Sequence, residues 1–129
     1  MGQMAEKICL DTDMCIAFLN NEPRSRHLIE KIGNRNVFVS AITLFELNLR
    51  RDNLDKVRNF LNDTFVLYFD ELAAVKASEL FKNLKSKGKM ISLNDIFIAS
   101  TAIVNNCSLA TFNNKHFSKI EQLELYDLS

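Results

Sequence analysis

Apolar residues occur along this chain in short dense runs, each ending at a polar residue that is followed by apolar positions at helical spacing. Ile8-Cys-Leu10 is too short for a helix, and an unbroken apolar triplet predicts a strand covered on both faces. Asp11 closes that strand, and Asp13 is expected to N-cap a helix in which Ile16, Ala17 and Leu19 turn inward. Pro23 opens a second helix, Arg24 to Ile32, with Leu28, Ile29 and Ile32 on one face and Gly33 as its stop. Val37-Phe-Val39 is the next strand and ends at Ser40. Ile42, Phe45 (or Leu44) and Leu49 then repeat at helical spacing through Arg51, and Leu54 to Leu61 reads as another short helix.

Phe65-Val-Leu-Tyr-Phe69 is the clearest strand pattern, closed by Asp70. Asp70 can cap a long helix with an inward stripe of Leu72, Val75, Glu79, Leu80 and Leu84, which Gly88 ends. Lys82, Lys85, Lys87 and Lys89 complement the negative end of its dipole. Ser92-Leu-Asn-Asp95 matches a capping box ahead of Ile96, Phe97, Ala99, Ile103 and Val104. Ser108 to Thr111 reads as a short strand, and Leu123 to Leu128 as a final edge strand. Strands alternating with helices predict one doubly wound α/β domain over residues 1–129, its mostly parallel sheet of four or five strands flanked by helices. In such a sheet, ligands bind beyond the carboxyl ends of the strands.

Composition narrows the class without choosing a function. A chain of 129 residues with 47% apolar and 25% charged residues can bury a core unaided. Its formal net charge is zero, so any nucleic-acid partner must be argued from a local site rather than from bulk charge. Cys9, Cys15 and Cys107 lack CxxC-type spacing and lie in apolar surroundings, which predicts buried free thiols and suits a reducing cytoplasm. Met1 to Lys7 has no apolar stretch of signal-peptide length, and no run approaches a membrane span. The expected location is cytoplasmic, with no membrane partner.

Three acids stand apart from the charged surface. Asp11 ends the first strand, Glu46 lies inside the apolar segment Ile42 to Leu49, and Asp95 precedes the apolar helix from Ile96. Each has an ordinary alternative: Asp11 as a cap, Glu46 as an exposed helix position, Asp95 as the fourth residue of its capping box. The topology can nevertheless bring all of them to one sheet edge. Converging carboxylates raise one another's proton affinity unless a cation is present. Magnesium or manganese prefers such oxygen-rich sites, and phosphodiester hydrolysis is the chemistry most often served there.

The stretches Leu10-Asp11-Thr12-Asp13, Ser40-Ala-Ile-Thr-Leu-Phe-Glu46, Asn94-Asp95-Ile-Phe-Ile-Ala99 and Leu109-Ala-Thr111-Phe-Asn113-Asn-Lys-His116-Phe117 carry a resemblance. In order and spacing the chain resembles the PIN-domain ribonucleases, and more closely the toxins of VapBC-type toxin–antitoxin operons. The resemblance implies that Asp11, Glu46 and Asp95 hold Mg2+ (or Mn2+), and that RNA is cut by metal-dependent hydrolysis leaving a 5′-phosphate and a 3′-hydroxyl. The family often has a fourth acid where this chain has Asn113 (or Asn114 in a shifted register), and Thr111 would then position the attacking water or Asn113. Asp13 stands where the family commonly has asparagine or serine. A homodimer and a cognate antitoxin covering the acidic cleft are further implications. Candidate backbone-binding cations are Arg24, Arg26, Arg50, Arg51, Lys115 and His116, with His116 read as a packing or phosphate-adjacent residue.

Three other readings share parts of the pattern. A haloacid-dehalogenase-like phosphatase would use Asp11 as nucleophile and Asp13 as acid/base. A receiver-like domain would use Asp11, Asp13 and Asp70 around one magnesium. A degenerate PIN module would bind RNA or a partner without cutting, and Asn113 in place of an acid is the feature that favours it.

Overall fold

The computed structural model describes residues 6–32 and 37–129, with the side chain of Ile29 excepted. The expected stop at Gly33 and the inward face of Ile29 therefore lie outside what is described. The first unit is β1 (Ile8–Leu10), α1 (Thr12–Leu19) and α2 (Pro23–Ile32). Next come β2 (Val37–Ser40), α3 (Ala41–Asn48) and α4 (Leu54–Asn62), then β3 (Phe65–Leu67), α5 (Glu71–Ser86) and α6 (Leu93–Val104). The last elements are β4 (Ser108–Ala110) and the short α7 (Asn114–Phe117). The sheet has four strands in the order β3-β2-β1-β4, and every pairing is parallel.

Sheet alternation divides the core in two. Cys9, Leu67 and Leu109 face a cluster built with α5, α6 and α7 residues such as Leu80, Leu84, Ile96, Ile98 and Phe117. Ile8, Leu10, Val39 and Ala110 face the other side, against Met14, Cys15, Leu28, Leu47, Val57 and Tyr126. Cys9, Cys15 and Cys107 are buried free thiols, as expected, and burial pushes all of them above the usual thiol range.

Helix ends explain how so few glycines suffice. Gly88 adopts φ 65°, and Gly88 and Lys89 donate back to the Lys85 and Leu84 carbonyls, which stops α5 where its sequence places the stop. Asparagine performs the same task after α1 and α6: Asn21 (φ 52°) donates to Phe18 and Asn106 (φ 57°) to Ile103.

Several expected elements differ in detail. Asp11, not Asp13, caps α1, its Oδ1 accepting from the Met14 amide at 2.8 Å; Asp13 lies exposed in the first turn. Met14, Cys15 and Ala17 are the buried positions of α1, while Ile16 and Leu19 are half-buried. β3 stops at Leu67, because Tyr68, 73% exposed, has no strand or core to join. The buried stripe of α5 is Ala73, Ala77, Leu80 and Leu84; Leu72 and Val75 are turned to the surface, since small alanines let α5 approach α6 closely. On α3 the inward residues are Thr43 and Leu47, leaving Phe45 and Leu49 exposed and ending the helix before Arg51. Leu123 to Leu128 is not a strand: one parallel bridge joins Leu125 to Leu109, through Leu109 donating to Glu124 and Tyr126 donating to Leu109.

Candidate active site

β1 lies between β2 and β4, so the chain leaves it at the place where connections diverge to the two sides of the sheet. The register pairs Leu10 with Val39 on one side and with Ala110 on the other. The next residue of each strand therefore meets at the carboxyl edge, and these residues are Asp11, Ser40 and Thr111. All of them are buried and polar, and each has hydrogen-bond partners.

Thr111 Oγ1 donates to Asp11 Oδ2 at 2.5 Å and accepts the Asn113 amide at 3.0 Å. Asp11 thus has both oxygens engaged, one capping α1 and one on Thr111. Burial raises its proton affinity most. The Thr111 and Met14 hydrogen bonds pull the other way, and the charges of Asp13 and Asp95 add to the rise, leaving a pKa of about 6 against an ordinary 3.8. A carboxyl group so disposed gains from any cation that replaces its proton.

Glu46 reaches the same place from α3. Thr43 and Leu47 anchor that helix inward, and the face next to them carries Glu46, half-buried. Its Oε1 accepts from Thr12 Oγ1 at 2.8 Å. Thr12 has one proton, which goes to Glu46, so the 3.0 Å contact between Thr12 and Thr43 has Thr43 donating. Asp95 arrives on the first turn of α6. Its backbone amide donates to Ser92 Oγ at 3.3 Å, so the capping half of the expected box is present. Its carboxylate is turned instead to His116, with Oδ2 2.9 Å from Nε2.

Asp11, Thr12, Asp13, Glu46, Asp95 and Asn113 line a single cleft of about 560 Å3, bordered by Ile16, Leu49, Leu93 and Phe117. The residues predicted for the site, Asp11, Glu46, Asp95 and Asn113, are thereby brought together, with Thr111 directly behind Asp11. No lysine or arginine lines the cleft among the described residues. Of the candidate cations, Arg24 stacks 4.0 Å from the Phe112 ring and pairs with Glu22, and Arg26 is directed to Asn21. Asp70 caps α5 by accepting from Ala73 and does not line the cleft, which removes the third acid of a receiver-like site.

The donor set can be tested against a divalent ion. It is made of carboxylate and amide oxygens, the kind that hard cations such as magnesium and manganese take, with water completing the shell. Among the described residues, however, no three His, Cys, Asp or Glu side chains form a group that could hold a metal as they stand. Each of these acids is engaged by a neighbour: Asp11 by Thr111, Glu46 by Thr12 and Asp95 by His116. The set fits such an ion in kind, with each acid resting on a neutral hydroxyl or an imidazole.

Residues 8–123 match the PIN domain. The chain belongs to the PIN-domain family. Among relatives of this PIN-domain chain, Ribonuclease VapC2 of Rickettsia felis is 33% identical over 127 residues, covering 90% of this chain and 93% of that protein. Ribonuclease VapC1 of Methanocaldococcus jannaschii is 28% identical over 124 residues, covering 94% and 88%. Among solved structures, DNA-bound VapBC from Salmonella typhimurium aligns with a TM-score of 0.85 at 27% identity, over 96% of this chain and 99% of that one. VapBC2 from Rickettsia felis, bound to a DNA fragment from their promoter, aligns with a TM-score of 0.80 at 30% identity, over 93% and 97%.

PIN membership sets aside the phosphatase and receiver readings. The hydrogen bonds of the structure add roles that the residue pattern alone did not give. Thr12, between Asp11 and Asp13, and Thr43, in an apolar segment, carry no charge, and nothing in the pattern joins them to Glu46. His116 stands in the right stretch, but its partner Asp95 is distant in sequence and could not be read from spacing.

Proposed function

We propose that this chain is a metal-dependent endoribonuclease and the toxin of a VapBC-type toxin–antitoxin pair. The observation that carries the proposal is the meeting of Asp11, Glu46 and Asp95, from three separate elements, in one cleft at the carboxyl edge of the sheet. Relatives named as ribonucleases and neighbours that are VapBC complexes support the same reading.

In this scheme Asp11, Glu46 and Asp95 would hold Mg2+ or Mn2+, with the Asn113 amide oxygen as an uncharged fourth corner. When bound, such an ion activates water and neutralises charge building on the phosphate and the leaving oxygen. The chain's own residues do the holding. Thr111 fixes Asp11 and the loop to Asn113, Thr12 orients Glu46, and the apolar borders Leu49 and Leu93 narrow the cleft beside the acids. An RNA phosphate entering a cleft of four acids (Asp11, Asp13, Glu46 and Asp95) meets repulsion unless a cation accompanies it.

A cognate antitoxin and a homodimer belong to the same proposal. Large exposed apolar side chains support protein partners: Phe45, Leu49 and Leu93 on one set of elements, Tyr68, Leu72 and Val75 on another. The whole of residues 1–129 is proposed as one nuclease domain, and no described helix is long and apolar enough to cross a membrane. A cytoplasmic site of action belongs to the same proposal, supported by the buried free thiols.

Incubation of a labelled RNA with the purified protein and manganese tests the proposal, beside EDTA and the Asp11→Asn variant. Cleavage should need the metal and Asp11. Cleavage that survives EDTA contradicts the mechanism. The amide at Asn113 favours one second reading, a PIN module that binds without cutting; binding of RNA with no cleavage at millimolar manganese would establish it.

A further inference from the structure

Asp95 enters the cleft with its capping duty already met by its backbone amide on Ser92, so its carboxylate is free for another task. Left alone, a side chain about one third exposed would turn to water and away from the charge of Asp11. His116 prevents this, its Nε2 lying 2.9 Å from Asp95 Oδ2. The imidazole is itself held. It stands edge-on to Phe117, with ring centroids 5.4 Å apart and planes at 89°, and Phe117 is 2% exposed and borders the same cleft. The α7 turn that carries both is closed by the His116 and Phe117 amides donating to Asn113. Charged, or neutral with its proton on Nε2, the ring donates to Asp95 in the same way.

We infer that His116 is a positioning residue, which holds Asp95 in the orientation in which it ligates the divalent ion. The inference rests on the proposed role of Asp11, Glu46 and Asp95. It gives His116 a task other than binding an RNA phosphate, because the nitrogen that faces the cleft wall is committed to Asp95. Outer partners of ligating groups fix their direction, and their loss typically costs about 10–100-fold in metal affinity or activity.

The test is manganese binding to the full chain without RNA, measured by titration calorimetry and by the manganese paramagnetic resonance signal. His116→Phe keeps the ring packing on Phe117 and removes the donor; His116→Gln keeps an N–H donor. The expected result is a dissociation constant raised by about 10–100-fold in His116→Phe and largely restored in His116→Gln. In an Asp95→Asn background, His116→Phe should add no further loss, since the two residues act through one contact. Wild-type affinity in His116→Phe, or the same loss in the Asp95→Asn background, overturns the inference and leaves the nuclease reading standing. A wild-type protein that binds no manganese at millimolar concentration overturns both. A merely structural role would lower the metal-free melting temperature of His116→Phe without changing its manganese affinity, and that outcome also defeats the inference.

Discussion

Thr12 Oγ1 donates to Glu46 Oε1 at 2.8 Å, and this contact joins the first turn of α1 to the acid on α3 across the mouth of the cleft. Because Thr12 spends its proton on Glu46, it accepts from Thr43, and Ser40 Oγ lies 3.4 Å behind Thr43 as a further donor. Hydroxyls are thus lined up from the end of β2 toward the carboxylate, each donating in the same direction. Glu46 is thereby given a fixed orientation without a positive charge that would compete with a cation.

Thr12→Val keeps the shape of the side chain and removes this relay. It should cost about 1–2 kcal/mol of metal-free stability, since Glu46 and Thr43 both lose a partner at a half-buried site. Manganese affinity should fall as well, while Thr12→Ser should behave as wild type in both respects. Urea unfolding in EDTA and a manganese titration check it. An unchanged midpoint in Thr12→Val would show that water replaces the contact freely.

Asp11 makes metal-free stability depend on pH in a defined direction. Its pKa of about 6 in the fold, against an ordinary 3.8, means that the folded chain holds this proton more tightly than the unfolded chain. The associated stability is fully present below the ordinary value and is lost as pH rises through the folded one, a total of about 3 kcal/mol. Asp11→Asn cannot titrate, so its stability relative to wild type should improve by about 2 kcal/mol between roughly pH 4.5 and 7.5 in EDTA. Urea midpoints of the two proteins at those pH values measure it. A difference that does not change with pH would mean that Asp11 is ionised throughout.

Asp95→Asn separates the metal-site role from the helix-cap role. The cap uses the backbone amide of residue 95 and Ser92 Oγ, which the substitution leaves in place. Metal-free stability should therefore stay within about 0.5 kcal/mol of wild type or rise slightly as carboxylate repulsion is relieved. Saturating manganese should raise the melting point of wild type, by about 2.7 kcal/mol of stabilisation at a hundredfold excess over the dissociation constant, and should leave the variant nearly unmoved. Thermal melts with and without manganese decide; a variant weakened equally in both conditions would return Asp95 to a structural role.

What could be read from the residues followed from how local the physics was. β1, β2 and β4 were legible because a dense apolar run ending at a polar residue is a local signal. The capping of α5 by Asp70 and its stop at Gly88 were legible for the same reason. Asp11 displaced Asp13 as the cap of α1 because the helix starts at Thr12, directly after the expected end of β1, where Asp11 Oδ1 accepts the Met14 amide. Tyr68 looked like strand and Leu72 like core because hydrophobicity alone does not say which apolar residues remain uncovered. Within the site, Asp11, Glu46 and Asp95 were identified by their unusual surroundings. Thr12 was not, and His116 was read as a packing or phosphate-adjacent residue rather than as the partner of Asp95, since a hydroxyl or imidazole gains meaning only from a partner that folding brings near.

Asn113 is the remaining corner of the cleft, exposed, with its amide nitrogen on Thr111 Oγ1. That backbone contact survives substitution, so Asn113→Asp changes charge and little else. In EDTA a fifth carboxylate should add to the repulsion on Asp11, lowering stability at neutral pH by up to about 1 kcal/mol. With manganese the same charge should become favourable: the dissociation constant should fall, and RNA cleavage should reach half its maximum at a lower metal concentration. Calorimetric titration and a metal-dependence curve of cleavage measure the two effects. Unchanged metal affinity in Asn113→Asp would place residue 113 outside the reach of the ion and confine the site to Asp11, Glu46 and Asp95.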